Sequence, residues 1–199
     1  MNAAITATRS DWDVIAGWVQ PGERVLDLGC GDGSLLRRLI DERGVRGWGV
    51  EIDDDKVLAA ITQRINVSQS DLEAGLAGFE DGAFEHVILS HTLQAMRHTE
   101  TIVNEMLRVG REAVVSFPNF GYWKHRLDIL RGHMPVSEDL PYQWYDTPNI
   151  HLCTIADFDD FCAKRDITVK ERKVFDDGVQ IREEQNYLGS LAVYRITRR

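Results

Sequence analysis

A glycine-rich turn between a predicted strand and a predicted helix constrains this chain more than any other feature. The strand is Arg24–Leu28, the turn is Gly29–Gly33, and the helix is Ser34–Ile40. Apolar residues recur along that helix at helical spacing, and Gly44 is predicted to end it. A strand, a glycine turn and a helix in this order are typical of the first unit of a nucleotide-binding α/β sheet.

The alternation of strand and helix continues along the 199 residues, a length that suits one domain. Four further apolar runs are predicted strands: Trp48–Ile52, Asn66–Ser68, Phe84–Leu89 and Ala113–Phe117. Amphipathic segments separate them, one of which is predicted to start at Asp53–Asp55. Ile167–Phe175 and Leu191–Thr197 are predicted to form an antiparallel pair. We therefore predict one α/β domain over residues 1–199, with a mostly parallel, Rossmann-like sheet that ends in a reversed strand.

An aromatic-rich segment, about residues 120–153, interrupts this pattern after the predicted fifth strand. A long, proline-broken insertion at such a place is typical of a lid or of a partner-binding surface. The alternative is a loop that packs its aromatic side chains on its own domain, and the sequence leaves these readings open. The residues concerned are Tyr122, Trp123, Tyr142, Trp144 and Tyr145, set among Pro135, Pro141 and Pro148.

The spacing of the glycines and the nearby acids favour S-adenosylmethionine (SAM) over a dinucleotide as the ligand. A dinucleotide loop reads Gly-x-Gly-x-x-Gly and places a pyrophosphate at the helix N-terminus. Here Gly29, Gly31 and Gly33 are each two residues apart, and Asp27 comes two residues before the first of them. Acidic groups would repel a pyrophosphate but suit the positively charged methionyl part of SAM. A NAD-dependent oxidoreductase is therefore the disfavoured alternative.

Residues after the second and third predicted strands extend this site. Glu51 follows Gly31 by 20 positions and is predicted to accept hydrogen bonds from both ribose hydroxyls. Ser70 or Asp71 is predicted to meet the adenine amino group, although either side chain could instead cap a helix. The full set of predicted SAM-binding residues is Asp27, Gly29, Cys30, Gly31, Gly33, Glu51, Ile52, Ser70, Asp71, Leu72 and Ser90.

No catalytic constellation can be assigned from the sequence. The candidate general bases are His91, His125, His151 and Tyr122, and a lone histidine is more often a structural residue. Methyl transfer from a sulfonium depends mainly on positioning, and it needs a base only when the acceptor keeps its proton until attack. No carboxylate or histidine cluster has metal-ligand spacing, so we predict no metal site.

Composition excludes several other classes. The chain has 32 acidic and 23 basic residues, a net charge of −9, which disfavours nucleic acid as a partner. No apolar run approaches the ~20 residues that span a bilayer, and Met1–Ser10 has no signal-peptide pattern. The three cysteines, Cys30, Cys153 and Cys162, are odd in number and form no Cys-x-x-Cys pair, which is typical of reduced thiols. The chain is therefore predicted to be cytoplasmic.

Three later segments narrow the resemblance within the class I SAM-dependent methyltransferases. Residues 89–95, 116–123 and 140–151 resemble the methionine biosynthesis protein MetW family, and the similarity runs roughly from Arg24 to Asp176. The resemblance implies a seven-stranded sheet with a reversed last strand. It also implies a role in methionine biosynthesis beside homoserine O-acyltransferase (MetX), the enzyme that the family is held to assist. His91 stands where the family more often has glutamine, so the resemblance gives this histidine no catalytic role.

Two functions from different classes follow. In the first, the chain binds SAM or S-adenosylhomocysteine and associates with homoserine O-acyltransferase as an accessory or regulatory subunit. SAM lies downstream of methionine, so such a subunit could report the state of the pathway. In the second, the chain is an active small-molecule methyltransferase whose insertion closes over an acceptor of unknown identity.

Overall fold

The computed structural model describes residues 10–199, which form one eight-stranded sheet with helices on both faces. Residues 1–9, which include most of the segment that shows no signal-peptide pattern, lie outside the described part. The strands are β1 Arg24–Leu28, β2 Arg46–Glu51, β3 Asn66–Gln69, β4 Phe84–Ser90, β5 Gly110–Pro118, β6 Ile167–Asp176, β7 Val179–Ile181 and β8 Leu191–Arg198.

Seven α-helices lie in the described residues, together with two short 3-10 turns at Leu72–Ala74 and Leu93–Ala95. Gly44 ends the second helix in the left-handed conformation, and the side chain of Asp53 caps the third, both as predicted. The helices are α1 Ser10–Trp18, α2 Ser34–Arg43, α3 Asp54–Thr62, α4 Thr99–Val109, α5 Trp123–Leu130, α6 Ile155–Lys164 and α7 Gln185–Leu188.

The strand order is β3-β2-β1-β4-β5-β8-β6-β7. The first five strands in this order run parallel, and β8 pairs antiparallel with both β5 and β6. This confirms the predicted Rossmann-like sheet with a reversed last strand. The structure adds the three-residue strand β7 at the edge, and one helical turn, α7, where no clear helix was predicted. Both elements are too short to produce a periodic pattern in the sequence.

The sheet separates two apolar layers. On one face, α1 and α2 contribute Ile15 and Leu36. On the other face, α4 and α6 contribute Met106 and Phe158. Because β1 lies between β2 and β4, the strand order reverses at β1, and the carboxyl ends of the five parallel strands share one edge. Ligands of open α/β sheets bind at this kind of edge, which is called the carboxyl edge below.

Glycines of β2 allow α2 and the loop before it to pack closely on the sheet. A Cβ atom at Gly49 would lie 2.5 Å from Sγ of Cys30, and one at Gly47 would lie 3.0 Å from Cδ2 of Leu36. Both distances are shorter than ordinary contacts between carbon or sulfur atoms, so any side chain at these positions would push α2 or its loop outward.

We expect Gly49→Ala to lower the free energy of unfolding by about 1–3 kcal/mol, because the added methyl group overpacks the space against Cys30. Urea unfolding would measure the change. Gly17→Ala is the matched control, because Gly17 is exposed in α1 and its added Cβ atom would have no neighbour within 4 Å. The control should be neutral or stabilising by up to about 1 kcal/mol. Equal stability of Gly49→Ala and the wild type would contradict the packing described.

Candidate functional site

The glycine loop joins β1 to α2 at the carboxyl edge. Gly29, Gly31 and Gly33 have φ angles of 67°, 58° and 81°, in the left-handed region that glycine adopts without steric cost. The N–H groups of Gly29 and Cys30 both donate to the carbonyl oxygen of Val50, at 2.8 and 3.0 Å. The loop is thereby fastened to the end of β2.

Glu51, the last residue of β2, links this loop to the turn that follows β2. Its Oε2 atom accepts a hydrogen bond from the N–H of Gly31 at 2.9 Å. Its Oε1 atom accepts from the N–H groups of Ile52 and Asp53, at 2.8 and 3.1 Å. The side chain is buried, and a carboxylate offers about four acceptor positions. Three of them serve the backbone, which leaves one position on Oε2 for a ligand hydroxyl.

The three glycines of the loop have different surroundings. A Cβ atom at Gly29 would lie 2.9 Å from Oγ1 of Thr92, and one at Gly33 would lie 2.8 Å from Cγ1 of Ile65. A Cβ atom at Gly31 would have no neighbour within 4 Å. Gly29 and Gly33 are therefore required by packing inside the protein, whereas the space over Gly31 is open to a ligand.

Cys30 was predicted as a SAM-binding residue, and its side chain lies in the apolar layer beneath the loop, against Gly49. Burial raises the pKa of its thiol to about 12, and the negative charges of Asp27 and Glu51 act in the same direction. The thiol is therefore protonated at neutral pH and is a poor nucleophile and metal ligand. Besides its main chain, Cys30 contributes to the loop only a weak hydrogen bond from Sγ to the carbonyl oxygen of Gly31 at 3.8 Å.

The turns after β2 and β3 lie side by side at this edge. The N–H group of Ser70 donates to the carbonyl oxygen of Glu51 at 3.0 Å. Ile52 is 58% exposed although it directly follows a buried strand. An exposed isoleucine beside the Glu51 carboxylate offers an apolar surface to a flat ring.

The side chain of Asp71 caps the 3-10 turn Leu72–Ala74, because Oδ1 accepts the N–H of Glu73 at 2.9 Å. This is the helix-capping role that the sequence leaves open as the alternative to a contact with the adenine amino group. Asp71 is exposed, so its second carboxylate oxygen remains accessible. Leu72 packs against the core with part of its side chain exposed.

A buried aspartate of α1, which the sequence did not reveal as a site residue, organises the ends of β4 and β5. Oδ2 of Asp11 accepts hydrogen bonds from Oγ of Ser90 at 2.9 Å and from Oγ of Ser116 at 3.3 Å. Nε2 of His91 lies 3.6 Å from the same oxygen. Acidic residues in the first turn of α1 were the only local signal, and they are equally typical of a solvated helix start.

His91 has a φ of 53°, a left-handed conformation that is strained for a residue with a side chain. Its N–H donates to the carbonyl oxygen of Ser116 at 3.0 Å, which holds the turn after β4 against β5. Its side chain is about a quarter exposed. Of the four candidate bases, His91 is the one that directly follows a parallel strand at the carboxyl edge.

The other candidate bases hold the aromatic insertion to the rest of the chain. His125 is buried, and its ring nitrogens lie 3.2 Å from the carbonyl oxygen of Asn119 and 3.2 Å from Oγ of Ser137. Burial lowers the pKa of His125. The hydroxyl of Tyr122 donates to a carboxylate of β6, and Nε2 of His151 lies 3.3 Å from a main-chain carbonyl oxygen before α4. These contacts indicate structural roles.

Within residues 10–199, no three histidine, cysteine, aspartate or glutamate side chains are grouped so as to hold a metal ion. In the same part of the chain, no helix combines the length and apolar character needed to cross a membrane.

Comparison with known protein families shows which family the chain belongs to. The family described as methionine biosynthesis protein MetW matches residues 9–196. The chain belongs to the MetW family. A curated relative, the bifunctional methionine biosynthesis protein MetXA/MetW of Rhodopirellula baltica, is 37% identical over 176 residues, which are 83% of this chain and 28% of that protein. The chain thus spans little more than a quarter of this relative's length.

Solved structures show the fold. A SAM-dependent methyltransferase from Thermotoga maritima superposes with a TM-score of 0.69 at 17% identity, over 96% of this chain and 88% of that one. The magnesium protoporphyrin IX methyltransferase of Synechocystis, solved with bound S-adenosylhomocysteine, gives 0.66 at 17% identity, over 100% and 90% of the two chains. The chain therefore has the class I methyltransferase fold.

We expect Glu51→Ala to loosen the glycine loop while the sheet stays folded, because the N–H groups of Gly31, Ile52 and Asp53 lose their acceptor. Each hydrogen bond to a charged group contributes roughly 1.5–3 kcal/mol. Amide hydrogen exchange followed by NMR should therefore be faster at these three positions. Glu80→Gln, in the exposed loop before β4, is the control and should change none of them. Unchanged exchange in Glu51→Ala would refute the link that Glu51 provides.

Proposed function

We propose that this chain binds SAM or S-adenosylhomocysteine at the carboxyl edge and acts as an accessory subunit of homoserine O-acyltransferase. The observation that carries the ligand assignment is the buried Glu51 carboxylate, which keeps one acceptor position beside the open space over Gly31. When bound, SAM supplies a cationic sulfonium with a transferable methyl group.

The positions of the predicted site residues support a specific role for each of them in ligand binding. Glu51 would accept one ribose hydroxyl at its open position on Oε2, and the exposed Ile52 would cover one face of the adenine. The accessible oxygen of Asp71, or the side chain of Ser70, would meet the adenine amino group. Asp27, 3% exposed on β1, would favour the cationic methionyl part.

Gly29 and Gly33 would maintain the shape of the loop, and Cys30 would contribute its main chain only. Ser90, bonded to Asp11, would line the end of β4, and Leu72 would seat the turn after β3 on the core.

The partner assignment rests on the relative that carries MetXA and MetW in one polypeptide. Covalent linkage keeps two units at a high effective concentration, which is useful when the two units act together. We infer that separate chains of this family associate with the acyltransferase non-covalently. Membership in the MetW family places the chain in methionine biosynthesis, which supports this partner over one from another pathway.

SAM regulates acyl transfer if the SAM site and the surface that binds the acyltransferase are energetically coupled. A ligand that changes the affinity for a partner must itself bind with changed affinity in the complex, by the same factor. Because SAM is made from methionine, the complex could adjust acyl transfer to the supply of the end product.

A second candidate, a small-molecule methyltransferase, is favoured by the pair formed by Asp11 and His91. A buried carboxylate 3.6 Å from Nε2 of an edge histidine can orient the ring and stabilise its protonated form. His91 would then accept a proton from the methyl acceptor, and the aromatic insertion would limit the access of water.

Isothermal titration calorimetry with SAM tests the ligand site. We expect Gly31→Val to abolish binding, since the side chain fills the open space, and Glu51→Ala to weaken it by roughly 2–3 kcal/mol. Gly178→Val is the matched control, because Gly178 has a φ of 73° and an added Cβ atom there also meets nothing within 4 Å. The control carries the same backbone strain far from the site and should bind normally. Wild-type affinity in both site variants would refute the assignment.

An acyl-transfer assay tests the accessory role. Homoserine acylation by the cognate acyltransferase is measured with and without this chain, each with and without SAM. We expect a severalfold rise on adding the chain and a further change with SAM. His91→Gln should leave the rise intact if the role is accessory. No effect in any condition, combined with methyl transfer from labelled SAM that His91→Gln abolishes, would favour the methyltransferase instead.

A further inference from the structure

Exposed apolar side chains concentrate in the aromatic insertion. Of the 16 large apolar side chains that are exposed in the described residues, nine fall within residues 129–152. Trp144 and Tyr145 are 73% and 70% exposed. Met134, Tyr142 and Trp144 line one shallow pocket, so several of these side chains adjoin in space. Single exposed apolar residues are ordinary, but an adjoining group on a protein surface marks an interaction site.

The most exposed aromatic pair is held in a defined arrangement. The rings of Trp144 and Tyr145 meet edge to face, with centroids 5.6 Å apart and an interplanar angle of 89°. Two hydrogen bonds between Gln143 and Asp146 hold the turn that carries them. The N–H of Gln143 donates to Oδ1 of Asp146 at 2.8 Å, and the N–H of Asp146 donates to the carbonyl oxygen of Gln143 at 3.3 Å. Preformed aromatic anchors of this kind lose little conformational entropy on binding.

Buried side chains and main-chain hydrogen bonds hold the insertion to the rest of the domain, so its exposed side chains have a fixed position. Leu140 is buried, and Ser137, which pairs with it in a tight turn, contacts the ring of buried His125. Further along, the N–H groups of Ile150 and His151 both donate to the carbonyl oxygen of Gln94, at 2.8 and 3.0 Å.

An acidic hollow of about 340 Å³ adjoins this surface. Val136 lines the hollow and is itself 45% exposed, so the hollow and the apolar surface are continuous. Lys124 is the one lysine or arginine among the described residues that line it. The carboxylates that line it come from the insertion, from the last residue of β6 and from the turn after β6, namely Asp128, Glu138, Asp139, Asp176 and Asp177.

We propose that this surface, here called the docking face, binds the acyltransferase, and this inference rests on the proposed function above. An interface with aromatic residues and methionine at its centre and charges at its rim has the composition expected of a specific protein contact. The partner would present an apolar socket for Trp144 and Tyr145, framed by lysine and arginine side chains. The docking face consists of Met134, Val136, Tyr142, Trp144 and Tyr145, with the acidic residues of the hollow as its rim.

Charge distinguishes this occupant from a second copy of the chain. Residues 132–153 contain three carboxylates and no lysine or arginine. Two copies that met through the docking face would bring like charges together, which costs binding free energy, whereas a basic partner gains from the same field.

The hydrogen bonds of residues 132–149 are made within the insertion and not to the ligand site. Within the described residues, no hydrogen bond joins residues 132–149 to β1, β2 or the glycine loop. The aromatic side chains of this segment point to solvent, so they are available to a partner without displacement.

Binding of the full chain to the cognate acyltransferase, measured by biolayer interferometry, tests the proposal. We expect the double variant Trp144→Ala/Tyr145→Ala to weaken the complex roughly 100-fold, as the loss of a central aromatic anchor does. Glu138→Gln/Asp139→Asn should slow association severalfold and reduce its dependence on salt. SAM affinity, measured by calorimetry, should be unchanged in both.

The matched controls remove equivalent groups elsewhere. Leu58→Ala/Ile61→Ala trims two apolar side chains of α3 that are 63% and 55% exposed, beside the edge strand β3 at the other end of the sheet. Glu80→Gln removes an exposed charge from the loop before β4. Both controls should bind the acyltransferase as the wild type does.

The outcomes separate this inference from the proposed function. If the wild-type chain binds the acyltransferase and the aromatic double variant binds equally well, the docking face is wrong and the partnership stands. If the wild-type chain does not bind, the partnership and the docking face both fall. If the double variant loses SAM affinity, or changes only self-association seen by light scattering, the face is a lid or a homodimer contact and the inference is overturned.

Discussion

The carboxylate of Glu51 is the contact on which the carboxyl edge depends. It is a buried charge, and burial of a charge is tolerated only when hydrogen bonds replace its water. Three backbone N–H groups do so, and they come from two different turns, so the glycine loop after β1 and the turn after β2 are held in fixed relation. The main-chain carbonyl of the same residue accepts from Ser70 and adds the turn after β3. One side chain and its peptide group thereby align three loops.

The charges at this edge support the proposed ligand over a dinucleotide. Two buried carboxylates, Asp27 and Glu51, lie close enough to the loop for their charges to add to the effect of burial in raising the pKa of Cys30. A pyrophosphate would be repelled by these charges, whereas a sulfonium and an ammonium group would be attracted. The helix N-terminus at α2 opposes this effect only weakly, because Asp32 occupies it by accepting the N–H of Ser34.

Local patterns allowed much of this structure to be predicted. The strands and the helix caps at Gly44 and Asp53 depend on neighbours in sequence, which is why the sequence reveals them. Asp11 could not be found in this way, because it meets Ser90 across 79 positions and only the closed sheet brings the two together. Helix α6 is a different case: it is absent from the sequence prediction, although the capping box that Thr154 and Asp157 form is a local signal.

The turn after β4 connects the carboxyl edge to the C-terminal end of the aromatic insertion through hydrogen bonds. The side-chain amide of Gln94 donates to the carbonyl oxygen of His91, and the main-chain carbonyl oxygen of Gln94 accepts the two N–H groups that anchor the insertion. Continuity alone supplies no coupling energy, since coupling requires an element with two arrangements whose balance both sites change. His91 is the residue on this path with a strained backbone, at a φ of 53°. A ligand that shifted Ser90 or the Asp11 carboxylate would act on this residue first, and through Gln94 on the insertion that carries the aromatic anchors.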